Sequence, residues 1–282
     1  GIGASWVSNE SVATVVVETG ARITAADLTI RAHNDASLTA QVKAPEVNDA
    51  GQDAVAIALS ATHADVNAIA RVDKGATLQV SGAVQVAATN IGNFVNETET
   101  ETGAEGKGAA SVAYASHSSS TNAALNANVG DATSVAILSV NEVQQDVVKA
   151  SASVGASAAG DLGDQAAAQT LGRGEQAVYE FLGLGSLKLK DDLAPPGANA
   201  FRIGGAIAIA NNSHTATATI GAGANVHASE SALVAARVLA SDIQIGAVSS
   251  AVSQAANQAK VGTARDAYSA GLAVANITHD AV

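Results

Sequence analysis

Four histidines stand where chemistry could begin: His63, His117, His214 and His279 each follow a short run of alternating small apolar residues. Imidazole ligates metals and moves protons near neutral pH, so a recurring histidine raises a metal-binding column as the first question. Stacking geometry argues against it. If each repeating unit contains at least two coils, equivalent residues lie about 10 Å or more apart, whereas zinc holds its ligands at about 2 Å from one ion. Histidines at turn edges are the better reading, and no metal ligand is assigned.

Carboxylates cluster at Glu97, Glu99 and Glu101 and at Asp191-Asp192. Paired carboxylates can hold Ca²⁺ or hydrolyse glycosides. Alternation along a strand would put the three Glu on one face, where mutual repulsion favours a solvated loop, so a solvated insertion is expected there. Ser and His are plentiful, but no nucleophile elbow, P-loop or dinucleotide fingerprint connects them. Sugar sites need aromatic platforms, and the aromatics (Trp6, Phe94, Tyr114, Tyr179, Phe181, Phe201 and Tyr268) are scattered. Thr215, Thr217 and Thr219 would share one strand face but do not recur in other copies, so a solvated face is expected. The sequons at Asn9, Asn96, Asn211 and Asn276 suit a chain rich in Asn, Ser and Thr and carry no assigned function. No catalytic residue and no cofactor is assigned; the chain reads as a non-enzyme.

The elements that carry these residues follow from composition. Of 282 residues 48% are hydrophobic, yet only 2% are aromatic, and Met and Cys are absent. Globular enzymes fill a wide core with Leu, Phe, Met and Trp. Ala and Val suit a narrow one. High hydrophobicity with 14% charged residues argues against disorder. No run of 18 apolar residues exists, so insertion of this segment into a membrane is not expected. A net charge of −12 without a basic stripe argues against nucleic acid as a partner. The chain opens at Gly1 with no initiator Met, and reads as a piece of something longer.

Period-2 alternation dominates, as at Val55-Ala-Ile57-Ala-Leu59, Ala76-Thr-Leu78-Gln-Val80 and Ala206-Ile-Ala-Ile209, and marks short half-buried strands. One motif recurs: an apolar residue, two turn residues, Gly-Ala, then two alternating apolar positions. It stands at Gly20-Ala21, Gly75-Ala76 and Gly223-Ala224, with a degenerate copy starting at Val129. An opening motif precedes the copies at Val55, Val112, Ile207 and Leu272. The interval before the last Gly-Ala copy is the longest, and Gly155–Gly197 within it has a different composition, which reads as an insertion. Val178, Phe181 and Leu182 fall at helical spacing there, and Tyr179 and Phe181 are the expected partner contact. The expected domains are solenoid repeats over 1–154, the part-helical insertion over 155–197, and further repeats over 198–282.

A unit of two or three short strands cannot bury its apolar face alone, whereas stacked units form a continuous core. The fold expected is all-β, a single-stranded parallel β-helix (β-solenoid) with one part-helical insertion. The alternating Ala/Val strand followed by Gly20-Ala21, Gly75-Ala76 or Gly223-Ala224 and its flanking strands resembles the β-helical shafts of filamentous-haemagglutinin-like and giant leukotoxin-like bacterial exoproteins. That resemblance covers about two-thirds of the chain and excludes the insertion. It implies a shaft segment at a bacterial surface or secreted, acting as spacer and adhesion or cell-contact element, with a protein or glycan receptor on another cell. Two alternatives stand beside it: a glycan-binding or glycan-cleaving β-helix, and a filament subunit associating end to end.

Overall fold

The structure is a computed structural model and describes residues 1–44, 54–102, 106–154, 202–251 and 267–282. Among these there is no helix, and almost every residue lies in a parallel strand. Sheet A is ordered β1-β4-β7-β9-β12, from Ile2–Val17, Ala54–Val72, Gly106–Leu125, Arg202–Ile220 and Ala267–Ala281. Sheet B is ordered β2-β5-β8-β6-β3, with β10 and β11 also on β8. Its strands are β2 (Arg22–Ala25), β3 (Leu28–Lys43), β5 (Thr77–Val80), β6 (Ala83–Thr102), β8 (Asn128–Val154), β10 (Val226–Ala240) and β11 (Ile243–Ala251). The chain alternates between the sheets, and each sheet-A strand with the sheet-B strands after it is here termed a rung. Parallel neighbours need a long crossover; here the strands of the other sheet supply it.

The recurring Gly-Ala turns the corner from sheet A to sheet B. Gly20, Gly75 and Gly223 have φ of 82°, 90° and 87°, a left-handed conformation that glycine adopts without steric cost. The amides of Ala21, Ala76 and Ala224 each donate three residues back, to the carbonyls of Glu18, Asp73 and Gly221. The third rung lacks the glycine. Its corner is shorter, and register places the equivalent of Val17 and Val72 at Leu125, not at the expected Val129. Likewise Leu59, not Val55, aligns with Val112, Ile207 and Leu272.

Between the sheets lies a thin core. Sheet A turns mostly Ala inward (Ala56, Ala64, Ala68, Ala113, Ala208), while Val84, Val86, Ile137 and Phe94 come from sheet B. Small residues on one face let the larger ones opposite fill the gap at interior density. Ala76, buried at the corner beside Leu78 and Val129, has no room for a ring. Ala76→Phe is expected to cost about 1–3 kcal/mol, more than Ala224→Phe at a half-buried corner, read as shifts in urea midpoint. Equal tolerance at both sites would contradict this packing.

An interior amide ladder ties the two sheets. Asn34, Asn90 and Asn141 are register partners on β3, β6 and β8. Each side-chain amide donates across the core to carbonyls of two successive sheet-A strands. Asn34 bonds Ser11 and Asn67, Asn90 bonds Val66 and Ser120, and Asn141 bonds Ser119 and Thr215.

The outer face of sheet A is divided along the strands. Ala4, Leu59, Val112, Ile207 and Leu272 form one register column, and Trp6, Ala61, Tyr114, Ile209 and Val274 the next. The column that follows is Ser8, His63, Ser116, Asn211 and Asn276. Thus the face changes from apolar to polar within one column.

Candidate functional site

The site grows from an irregularity in sheet B. Pairing of β6 with β8 shifts register between Gly92 and Asn93, so Gln144 is the extra residue, a β-bulge. Before it the odd-numbered residues Val135 to Val143 face inward; after it the even-numbered Asp146, Val148, Ala150 and Ala152 do. Asp146 thereby occupies the core column held by Leu38 and Phe94 in the rungs before it and paired with Ile243 after it. A buried carboxylate must find donors there.

It finds three. His117 Nδ1 lies 2.9 Å from Asp146 Oδ1, and His214 Nε2 lies 3.0 Å from Oδ2. Asn212 Nδ2 donates to Oδ2 at 2.7 Å, and Asn212 Oδ1 accepts the backbone N–H of His117. The far nitrogens meet hydroxyls: His117 Nε2 is 2.9 Å from Thr62 Oγ1, and His214 Nδ1 is 2.8 Å from Ser119 Oγ. With an ionised carboxylate, which only accepts, the neutral tautomers are Nδ1–H at His117 and Nε2–H at His214. Asn141 Nδ2 donates to Ser119 Oγ at 2.9 Å, and that hydroxyl's proton has two acceptors within reach, His214 Nδ1 at 2.8 Å and Asn141 Oδ1 at 3.1 Å. Phe94 closes the cluster, its ring centroid 4.9 Å from His117 and 6.4 Å from His214, parallel to the latter within 2°.

Burial pushes the Asp146 carboxyl up, but hydrogen bonds from His117 and then His214, with the attraction of the same rings, outweigh it and hold the group below its ordinary range. His279, register partner of His214 with ring centroids 5.3 Å apart, is lowered by burial and by the like charge of His214, against the pull of Asp146. A carboxyl lowered on folding contributes stability that is complete above its unfolded value near 4 and is lost as pH falls through the folded value. Lowered His279 acts in the same sense: below about 6.5 the unfolded chain takes up a proton first. Stability is therefore expected to be flat above neutral pH, to sag slightly below 6.5 and to fall steeply below about 4. Asp146→Asn should lower the neutral plateau and flatten the steep limb. Identical acid limbs for both proteins in urea titrations would place the acid-sensitive groups elsewhere.

A hydroxyl, an imidazole and a carboxylate in line are the parts of a nucleophilic triad. Here both hydroxyls are sealed in the core, Ser119 and Thr62 each 1% exposed. A substrate carbonyl reaches neither unless strands part. What the arrangement does, as built, is join β4, β7, β8 and β9 through one polar chain.

The sequence-based expectations divide at this site. His117 and His214 are buried in mid-strand, not at turn edges, and His63 faces outward. The spacing argument fails because adjacent rungs are adjacent strands, so His214 and His279 are direct neighbours. No group of three or more His, Asp or Glu side chains arranged to hold a metal occurs among the described residues. Glu97, Glu99 and Glu101 lie in β6 and not in a loop. Lys43 pairs with Glu99 at 3.4 Å, Lys149 approaches Glu97 at 3.9 Å, and Gln41 donates to Glu97. Cross-strand cations thus remove the repulsion that favoured a loop. Asn96 is buried and donates to the carbonyl of Tyr114, so that sequon is closed in the folded chain. Tyr179, Phe181, Asp191, Asp192 and the whole 155–197 insertion lie outside the described residues. Asp146, Asn212, Ser119 and Asn141 carried no motif. Their one signal was the change of parity at Gln144.

No family model, no curated protein and no solved structure matches this chain.

Proposed function

We propose that the chain is a shaft: a β-solenoid segment of a bacterial surface-exposed or secreted adhesin-like exoprotein, serving as spacer and as adhesion or cell-contact element. One observation carries the reading, the agreement of register in both sheets. Val17, Val72, Leu125 and Ile220 align in sheet A, and Leu28, Val84, Val135 and Ala232 align in sheet B. Equivalent residues therefore stack rung upon rung, the way a one-dimensional repeat grows. The amide ladder and the Asp146 cluster run along the same direction and suit a load-bearing interior. A solvent-sealed titratable cluster favours a structural role over turnover.

The test removes one rung. Val17 and Val72 are register partners, so excising 18–72 joins β1 to the Asp73-Lys74-Gly75 corner without a frame change. A stacked repeat should remain soluble and β-rich, with a lower urea midpoint. Collapse of all β-structure would sink the solenoid. Beads coated with the intact chain are then scored on host-cell monolayers. Attachment no better than albumin-coated beads would remove the adhesion role and leave the spacer.

A further inference from the structure

One interior pair recurs along the stack with different neighbours. Ser11, Val66, Ser119 and His214 form a register column in sheet A, and the ladder residues Asn34, Asn90 and Asn141 face it from sheet B. In the first rung Ser11 Oγ lies 2.9 Å from Asn34 Oδ1, but the next residue in its column is Val66. In the second rung Asn90 faces Val66, and there is no hydroxyl. Among the described residues only the third rung sets a serine against the asparagine and an imidazole against the serine. Ser119 Oγ lies 3.1 Å from Asn141 Oδ1, 2.9 Å from Asn141 Nδ2 and 2.8 Å from His214 Nδ1. His214 Nε2 in turn lies 3.0 Å from Asp146 Oδ2, and all four side chains are buried. Since Oγ touches both outer atoms of the carboxamide, the carbon between them is about 3–3.5 Å away, the separation of a near-attack conformer. The two amide protons already face the carbonyls of Ser119 and Thr215, the use that Asn34 and Asn90 make of theirs. Oγ thus rests against the group with no more than a shared proton.

We propose that the third rung makes its own covalent cross-link, an ester between Ser119 Oγ and the side-chain carbonyl carbon of Asn141, formed once per chain with His214 as general base. His214 Nδ1 takes the hydroxyl proton as Oγ bonds to Cγ of Asn141. The Cγ–Nδ2 bond then breaks, and the same proton passes to the departing nitrogen. One ammonia leaves, no electrons are exchanged, and no water or cofactor is consumed. Bulk water protonates the ammonia, which draws the step forward. Asp146 is a positioning residue: by accepting Nε2–H it leaves Nδ1 bare and aimed at the hydroxyl. The seal that keeps an external substrate out is no obstacle, since both reactants belong to the chain, and it excludes the water that would hydrolyse the ester. Well-oriented partners in one molecule reach effective molarities of about 10⁵–10⁸ M, and a step taken once needs no rapid turnover. The bond ties β7 to β8, sheet A to sheet B, and the inference stands apart from any adhesion role.

Mass spectrometry of the purified, folded full chain is the test. The intact mass should fall short of the sequence by one ammonia. Digestion should yield one branched peptide joining the Ser119 segment to the Asn141 segment, which hydroxylamine separates. Ser119→Ala should restore the full mass with far-UV dichroism unchanged. Ser11→Ala, which breaks the pair that has no imidazole, should leave the deficit in place. His214→Gln keeps an N–H for Asp146 but no base, and Asp146→Asn keeps the shape but not the charge that fixes the tautomer. Each, scored in its folded fraction, should lower the cross-linked share ten-fold or more. Full mass in the folded, unsubstituted chain would overturn the proposal. A deficit that persists in Ser119→Ala would overturn it too, as would one confined to a single unbranched peptide at Asn141, the mark of a succinimide.

Discussion

Asp146→Leu is expected to be among the most damaging single substitutions in the chain, costing about 3–5 kcal/mol. The side chain would fit, since Leu38 occupies the same column two rungs earlier. The damage is electrostatic: the N–H groups of His117 and His214 and the amide of Asn212 lose their acceptor at 0–2% exposure. The companion variant is informative. Asp146→Leu combined with His117→Ala, Ser119→Val and His214→Val copies the apolar types that Leu38, Ala64 and Val66 hold in the same columns. Replacing a complete buried polar cluster by packed apolar groups is often neutral or stabilising, so the fourfold variant should regain most of the loss, with the Asn212 amide and the Thr62 hydroxyl the donors left stranded. Urea midpoints, checked for constant m, decide it. A fourfold variant no better than the single would mean that the cluster holds the rungs together by more than hydrogen-bond satisfaction.

The second large effect is expected at Phe94, the largest fully buried side chain of the described residues. Phe94→Ala removes a ring that touches both histidines and should cost about 3–5 kcal/mol. Its neighbour explains why the ring fits. A Cβ on Gly92 would stand 2.7 and 2.8 Å from Phe94 Cε2 and Cζ, so Gly92→Ala should cost about 1–3 kcal/mol by overpacking. The first rung solves the same positions with Ala36 and Leu38. Gly92→Ala should therefore be nearly free in a Phe94→Leu background, a coupling of about 1 kcal/mol or more in a double-mutant cycle. Additive costs would show that the ring moves aside and that Gly92 is not its seat.

The strands and corners were legible in the sequence because their causes are local. Alternation is a property of single strands, and Gly20, Gly75 and Gly223 stand where the backbone needs positive φ. The third corner was misplaced because the turn from Leu125 to Asn128 is two residues shorter than that from Val72 to Thr77 and carries no glycine to mark it. The site was not legible, since Asp146, His117 and His214 meet only through register across two sheets, and register depends on one bulged residue. Nor was the solvated loop at Glu97–Glu101 a sound inference. Three like charges on one face look repulsive until Lys43 and Lys149 are known to flank them.

The bulge at Gln144 also sorts the rungs into two grammars. Later strands inherit the extra residue: β10 and β11 meet β8 at Ala240–Val143 and Ile243–Asp146, one frame with no further shift. Segments exchanged by recombination on the same side of Gln144 would keep inside and outside faces in phase. A crossover joining β6 to β11 that is aligned by counting residues from before the bulge would be out of frame by one residue and would turn every later side chain inside out. One placed at the shared Phe94–Asp146–Ile243 column keeps the faces in phase. Lengthening or shortening such a chain by unequal exchange between the two classes is thus open where the cut follows the columns and closed where it only preserves residue count, and Gln144 is the residue that makes the two differ.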